Sequence, residues 1–177
     1  MENKGLIERV EHSTWAHPIV PVMKSDGSVR ICVDLKVGLN QQVKPLEYKM
    51  PTVQGILDSV GQAKVFSKID IASAFMHVPI HPEHRHFFTI TTTLGLFQLT
   101  RMPFGYVNAP LIWQQTIEAV VAGIPGVRVF YDDILLATET KDEHLLRLRE
   151  LLQRLSDHDL RVNVKKSSFV QSAVEYC

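Results

Sequence analysis

Two adjacent carboxylates, Asp132 and Asp133, stand in the middle of the otherwise apolar stretch Val127-Arg-Val-Phe-Tyr-Asp-Asp-Ile-Leu-Leu-Ala137. Charges in such a setting are costly unless water or a counter-ion reaches them. On these residues alone two readings are open. Aspartate favours turns, so the pair can be a solvated turn. Its flanks read as buried, so the pair can instead hold a divalent cation through hard oxygen donors. Asp70 lies near the end of a second short apolar run, Phe66-Ser-Lys-Ile-Asp-Ile-Ala-Ser-Ala-Phe75. If the two runs are neighbouring strands, three carboxylates meet at one sheet edge. Such a set can hold two Mg²⁺ ions about 3.5–4 Å apart, clamping the attacking and leaving oxygens of a phosphoryl transfer.

The elements that would position these acids follow from pattern. His17 to Val22 and Ser28 to Val33 alternate around a turn at Lys24-Ser-Asp-Gly27, a hairpin signal. Leu39 to Lys49 has no period and reads as a loop. Pro51 can open a helix whose apolar face carries Val53, Ile56, Leu57 and Val60. Val65 to Ile71 is a strand ending at Asp70, and Phe87 to Thr93 with Gly95 to Thr100 a further hairpin. Ala109 to Val121 is a helix with Pro110 in its first turn. Val127 to Ala137 is a hairpin with the acids at or beside its turn. A helix capped by Thr140 or Asp142 follows, with Leu145, Leu148, Leu152 and Leu155 as its stripe. Final strands are expected over Leu160 to Val164 and from Val174. Strand runs joined by hairpins with helices between them predict an α+β fold with an antiparallel sheet.

Composition narrows the class. The 177 residues are 45% hydrophobic and 21% charged, which is ordinary for a globular domain. No apolar run approaches a membrane span, and the charged start MENKGLIERVEH is unlike a signal peptide. Two cysteines, Cys32 and Cys177, do not make a disulfide framework and suggest a reducing compartment. The 19 basic and 19 acidic residues balance, so any nucleic-acid surface must come from sorting charge onto one face. His77, His81, His84 and His86 have no standard zinc spacing and read as part of a polar loop.

Seven blocks follow one another along the chain: Ser13-Thr-Trp-Ala-His-Pro-Ile-Val-Pro-Val22, Lys24-Ser-Asp-Gly-Ser-Val-Arg-Ile-Cys-Val-Asp34, Phe66-Ser-Lys-Ile-Asp70, Arg101-Met-Pro-Phe-Gly-Tyr-Val-Asn-Ala-Pro110 with Gln114, Tyr131-Asp-Asp-Ile-Leu135, Leu160-Arg-Val-Asn-Val-Lys-Lys166 and Val174-Glu-Tyr176. In their residues and order they resemble the fingers and palm of gypsy-type LTR retrotransposon reverse transcriptases. The resemblance implies fingers at about 1–62 and 76–103, and palm at about 63–75 and 104–177. It implies metal ligation by Asp70, Asp132 and Asp133, with Ile71 beside them, around two Mg²⁺ ions that Mn²⁺ could replace. Lys24 and Arg30 would grip an incoming deoxynucleoside triphosphate. The backbone of Ile71, Ala72, Ser73, Ala74 and Phe75 would touch its phosphates. The Phe75 ring would exclude a 2′-hydroxyl, while Phe104 and Gly105 would line the nucleotide pocket. Lys165 or Lys166 would protonate departing pyrophosphate. Asn108, Pro110, Gln114 and Tyr131 would face template or primer. On residue type alone, Phe75, Phe104 and Trp113 read instead as core aromatics and the lysines as solvated charges.

The implied activity is RNA- and DNA-directed DNA synthesis on a primed RNA or DNA template. A membrane is not among the implied partners. The chain departs from the pattern at Phe130-Tyr131, where the family usually has Tyr and a smaller apolar residue. It also departs at Lys24-Ser25, which replaces a basic pair, and at Asp34 to Asn40, one residue longer than usual. Cys177 falls where the primer-gripping turn is expected to begin. A fragment of a polyprotein is therefore expected, without thumb, connection or ribonuclease H segments and weak by itself. An active element would work in the cytoplasm within a virus-like particle. The alternatives are a degenerate or domesticated remnant that binds nucleic acid or protein without catalysis, and a two-metal nuclease. The nuclease leaves Phe75 and Asn108-Ala-Pro110 unexplained.

Overall fold

The computed structural model describes every residue except 24–26, 28 and 177, so the expected role of Lys24 and most of its turn lie outside the described residues. In chain order the strands are β1 (Ile7–Val10), β2 (His17–Met23), β3 (Val29–Val33), β4 (Val65–Asp70), β5 (Thr89–Thr92), β6 (Gly95–Leu99), β7 (Val127–Phe130), β8 (Asp133–Thr138) and β9 (Ser168–Gln171). The helices are α1 (Leu39–Gln42), α2 (Val53–Val60), α3 (Ala109–Val121) and α4 (Lys141–Asp157). The chain forms two compact units, Met1–Glu47 with Phe75–Pro110 and Tyr48–Ala74 with Leu111–Cys177. Among the described residues no helix is long and apolar enough to cross a membrane.

The first unit is built on a sheet of order β1-β6-β5-β2-β3, antiparallel except for the parallel β2–β5 pair. Partners across an antiparallel ladder share a face. Ile7 with Leu99 and Ile90 with Phe97 thus put apolar residues on one side, where Val33, Leu35, Leu39 and Phe88 complete a buried core. Strand β1 was not predicted, because four residues show too little period until β6 offers them an edge. The expected loop from Leu39 opens instead as the single-turn helix α1, with Leu39 buried. The histidine segment is not an open loop throughout: His77 ends a 3-10 helix, Ala74–His77, and His84 and His86 lie in another, Pro82–Phe88, which His81 precedes. Its Arg85 pairs with Glu8 at 2.8 Å.

The second unit is an antiparallel sheet of order β7-β8-β4-β9, with α4 packed on β4, β8 and β9. Ser67, Ile69, Ile134 and Leu136 are fully buried. Burying each of these Ile and Leu side chains contributes about 2 kcal/mol. Helix α4 is capped by Thr140, whose hydroxyl accepts the Glu143 amide. The expected stripe is corrected: His144, Leu148, Leu151 and Leu155 are buried, whereas Leu145 and Leu152 are exposed. Leucines lie on several faces of this helix, so polar partners decided the rotation. The predicted strands at Leu160–Val164 and from Val174 are also corrected. The first is a single bridge, Ile71 with Val162, and the last strand is β9.

Those polar partners form a closed relay. Ser168 pairs with Lys68 and Gln171 with Phe66, so β9 carries one extra residue, a bulge. Val170 sits in it with φ 55°, and its amide donates to Ser67 Oγ at 3.0 Å instead of to the ladder. The Thr138 hydroxyl donates to the Thr140 carbonyl, so it can only accept from His144 Nδ1, at 2.9 Å. Nε2 is then bare and accepts the Ser67 hydroxyl at 2.7 Å. The arrangement is complete for neutral imidazole, and burial holds the His144 pKa below its ordinary 6.5.

A pH dependence follows. Below 6.5 the unfolded chain takes up the His144 proton before the folded chain does. Stability is therefore undiminished above that pH and declines as pH falls from it through the lower folded value. Unfolding free energies from urea titrations at pH 7.5 and 5.5 are expected to differ by about 1 kcal/mol more in the parent than in His144→Gln. Equal differences would remove His144 as the cause.

Candidate active site

The acids come together through strand register. Asp70, the last residue of β4, is the cross-strand partner of Asp133, the first residue of β8. Both side chains therefore share one sheet face. The β7–β8 connection is a two-residue turn, Tyr131-Asp132, closed by the Phe130–Asp133 pair. Asp132 is exposed while Asp70 and Asp133 are half-buried. The predicted hairpin with acids at its turn and the predicted neighbouring strand are both present.

Asp70 is fixed by its main chain. Its amide donates to Ser167 Oγ at 3.1 Å, and its carbonyl accepts the Asn163 amide at 2.8 Å. The Ile71 amide donates to the Asp132 carbonyl at 3.3 Å and the Ala72 amide to the Arg161 carbonyl at 2.7 Å. These two amides are thus already used, contrary to the expectation that the whole run from Ile71 offers its backbone to phosphate. Ser73, at φ 56°, and Ala74 follow them. Lys165 and Lys166 are exposed on the turn that leads to Ser167.

The turn is held by α3. Tyr131 has φ 52°, a left-handed conformation that a bulky residue adopts at a cost of order 1–3 kcal/mol. Positive φ at the first turn residue only is the pattern of a type II′ hairpin, which normally has glycine there. Gln114 Oε1 accepts the Tyr131 amide at 2.7 Å, and Trp113 Nε1 donates to the Tyr131 carbonyl at 3.0 Å. Gln114 Nε2 also donates to the Val129 carbonyl at 3.0 Å and to Glu118 Oε1 at 2.6 Å. The other Glu118 oxygen accepts the Tyr48 hydroxyl, and that bond raises the Tyr48 pKa. Trp113 and Gln114 are both 0% exposed. Gln114 is thus not turned outward towards a template, since its amide is consumed inside. The sequence offered little signal for this, since Gln114 is one of two adjacent glutamines in α3.

In the first unit, the Arg30 guanidinium lies 4.7 Å from the centre of the Phe104 ring, a cation–π contact. Phe104 in turn packs on Phe75 with centroids 5.0 Å apart. Three residues assigned to nucleotide binding are therefore gathered, with Arg30 exposed and the rings half-buried. Gly105, at φ 106°, has no room for a side chain: a Cβ would lie 2.1 Å from the Val33 carbonyl oxygen. Asn108 is buried; its Oδ1 accepts the Leu46 amide and its Nδ2 donates to the Lys44 carbonyl, both at 3.0 Å. Like Gln114 it serves the interior rather than a template. Pro110 is half-buried and Tyr131 exposed.

Lys68 was missed. It lies two residues before Asp70, hence on the same face, and its Nζ is 3.0 Å from Asp133 Oδ2. Among the described residues no three His, Cys, Asp or Glu side chains are gathered closely enough for one metal ion. The donor types and backbone positions nonetheless suit a hard divalent cation: two carboxylates in register on one face and a third on the adjoining turn.

The chain belongs to the reverse transcriptase (RNA-dependent DNA polymerase) family, whose model matches residues 22–177. It is 33% identical over 178 residues to the uncharacterized protein K02A2.6 of Caenorhabditis elegans, covering 99% of this chain and 14% of that protein. It is 30% identical over 179 residues to the transposon Tf2-3 polyprotein of Schizosaccharomyces pombe, covering 98% of this chain and 13% of the polyprotein. The fold matches a foamy viral protease-reverse transcriptase bound to double-stranded DNA, with TM-score 0.92 and 28% identity over 99% of this chain and 31% of that one. It also matches the foamy viral enzyme bound to an RNA/DNA hybrid, with TM-score 0.85 and 28% identity over 95% and 22%. The expected fingers-and-palm α+β fold and the retrotransposon resemblance are borne out.

Proposed function

We propose that this chain carries the polymerising centre of a retroelement reverse transcriptase, transferring deoxynucleotides to a primer 3′-hydroxyl on RNA or DNA templates. The observation that carries this reading is the register pairing of Asp70 with Asp133 beside Asp132, in a chain of this family. Asp70, Asp132 and Asp133, with the main chain of Ile71, would hold Mg²⁺, or Mn²⁺ in its place. Bound there, the ions supply the Lewis acidity that activates a hydroxyl and neutralises triphosphate charge.

The chain's other residues bind and orient. Arg30, braced on Phe104, presents planar donors to phosphate, and Lys24 adds a point charge. Phe75 takes the sugar side and excludes a 2′-hydroxyl, Gly105 lets the backbone approach, and Lys165 donates a proton to pyrophosphate. Tyr131 and Pro110 meet the primer and template, with Gln114 and Asn108 supporting them from inside. The solved relatives bound to duplex DNA and RNA/DNA hybrid support a primed duplex as partner. The chain spans 14% and 13% of the two relatives named, so further polyprotein segments, thumb and ribonuclease H among them, would act with it.

Primer extension on an RNA template in Mg²⁺ tests the reading. The parent chain is expected to extend at least about 100-fold faster than the Asp132→Asn, Asp133→Asn double variant. Equal rates would overturn it. A second reading, a remnant that binds without chemistry, is favoured by the ion pair that engages Asp133. Duplex retention without any extension, both by the folded parent chain and by the same chain joined to a relative's thumb and ribonuclease H segments, would establish that reading instead.

A further inference from the structure

A cation of the chain itself engages the candidate metal site. Lys68, on β4, is the register partner of Leu135, and its side chain reaches diagonally to Asp133 across the same sheet face that carries Asp70. The pair is partly shielded, each side chain being 24% exposed, so a positive charge there is not fully screened by water. Asp70 and Asp133 stand directly opposite one another, a repulsive placement for two carboxylates. Lys68 offsets that repulsion from within the strand. It also occupies Asp133 Oδ2, an oxygen that a divalent cation would need, and the three acids are not gathered into one cluster.

We propose that Lys68 is an internal counter-cation of the carboxylate site. It holds Asp133 in the metal-free chain and releases it when a divalent cation enters, and so sets the metal concentration at which the site fills. The inference rests on the metal-binding reading above. Its physical content is a competition: the lysine stabilises the empty site and leaves the filled one unchanged or less stable. Removing the positive charge must therefore tighten metal binding. A lysine that served only to keep the strand in place would do the opposite on removal, because a disturbed site binds more weakly.

Mn²⁺ binding to the whole chain without nucleotide or nucleic acid, followed by the loss of the free-ion electron paramagnetic resonance signal, separates these roles. Lys68→Met is expected to lower the Mn²⁺ dissociation constant by about threefold to tenfold, and Lys68→Arg to leave it within about twofold of the parent. Circular dichroism verifies that each variant is folded. An unchanged or raised dissociation constant in folded Lys68→Met overturns the inference while leaving the metal site standing. Mn²⁺ binding that persists unaltered in Asp70→Asn and Asp133→Asn overturns the metal reading itself, and the inference with it.

Discussion

Asp70→Asn is expected to slow Mg²⁺-dependent primer extension by about 1000-fold or more, because the change removes an anionic metal donor without removing its shape. Stability is expected to stay within about 1 kcal/mol of the parent or to rise. The backbone of Asp70 is held by its amide bond to Ser167, its carbonyl bond from Asn163 and the β4–β8 ladder, none of which uses the carboxylate. The substitution also relieves the like-charge pairing with Asp133. Extension rates at saturating Mg²⁺ and urea unfolding of the same preparation read both quantities. A loss below tenfold with folded protein would exclude Asp70 as a metal donor, since a direct ligand contributes more than that.

The second large effect lies away from the acids. Gln114→Leu is expected to destabilise the chain by about 3 kcal/mol, and to slow extension through the turn rather than through the chemistry. Leucine fills a similar volume but leaves the Val129 carbonyl and Glu118 Oε1 without the donor Gln114 supplies and the Tyr131 amide without its acceptor. Tyr131 would then hold its left-handed φ of 52° with the Trp113 bond as the remaining brace from α3. Tyr131→Gly in the same background should recover about 1 kcal/mol, since glycine adopts that conformation freely. Urea unfolding gives both numbers, and amide exchange over residues 127–138 should quicken in the single variant and slow again in the double. A Gln114→Leu cost under about 0.5 kcal/mol would mean that the turn holds itself.

These two residues show how unevenly the site was legible. Asp70 stood out because a carboxylate at the end of an apolar strand is chemically conspicuous, and family order singled it out further. Gln114 was legible only as a family position, and its orientation came out inverted. Which face of α3 packs on the β7–β8 hairpin is settled by three hydrogen bonds to groups 15 to 18 residues away. No local period encodes them. The same holds for α4: its leucines permit several rotations, and Ser67 and Thr138 selected the one that buries His144. Local propensity carries little about contacts of that range, because their free energy exists only once distant strands have met.

Alternation and turn chemistry were enough by themselves to establish most strands, the two long helices and the acidic hairpin, since each is written in neighbouring residues; the family came from the resemblance of motif blocks in their order along the chain. Tertiary structure alone decided that Asp70 faces Asp133, that Lys68 engages Asp133, that Asn108 and Gln114 turn inward, and that a bulge at Val170 gives Ser67 its task. The strand residues among them depend on register, while Asn108 and Gln114 depend on where distant loops and strands come to meet them. Register is set by the summed burial and hydrogen bonding of a whole sheet, and a slip of one residue would send each of those strand side chains to the opposite face.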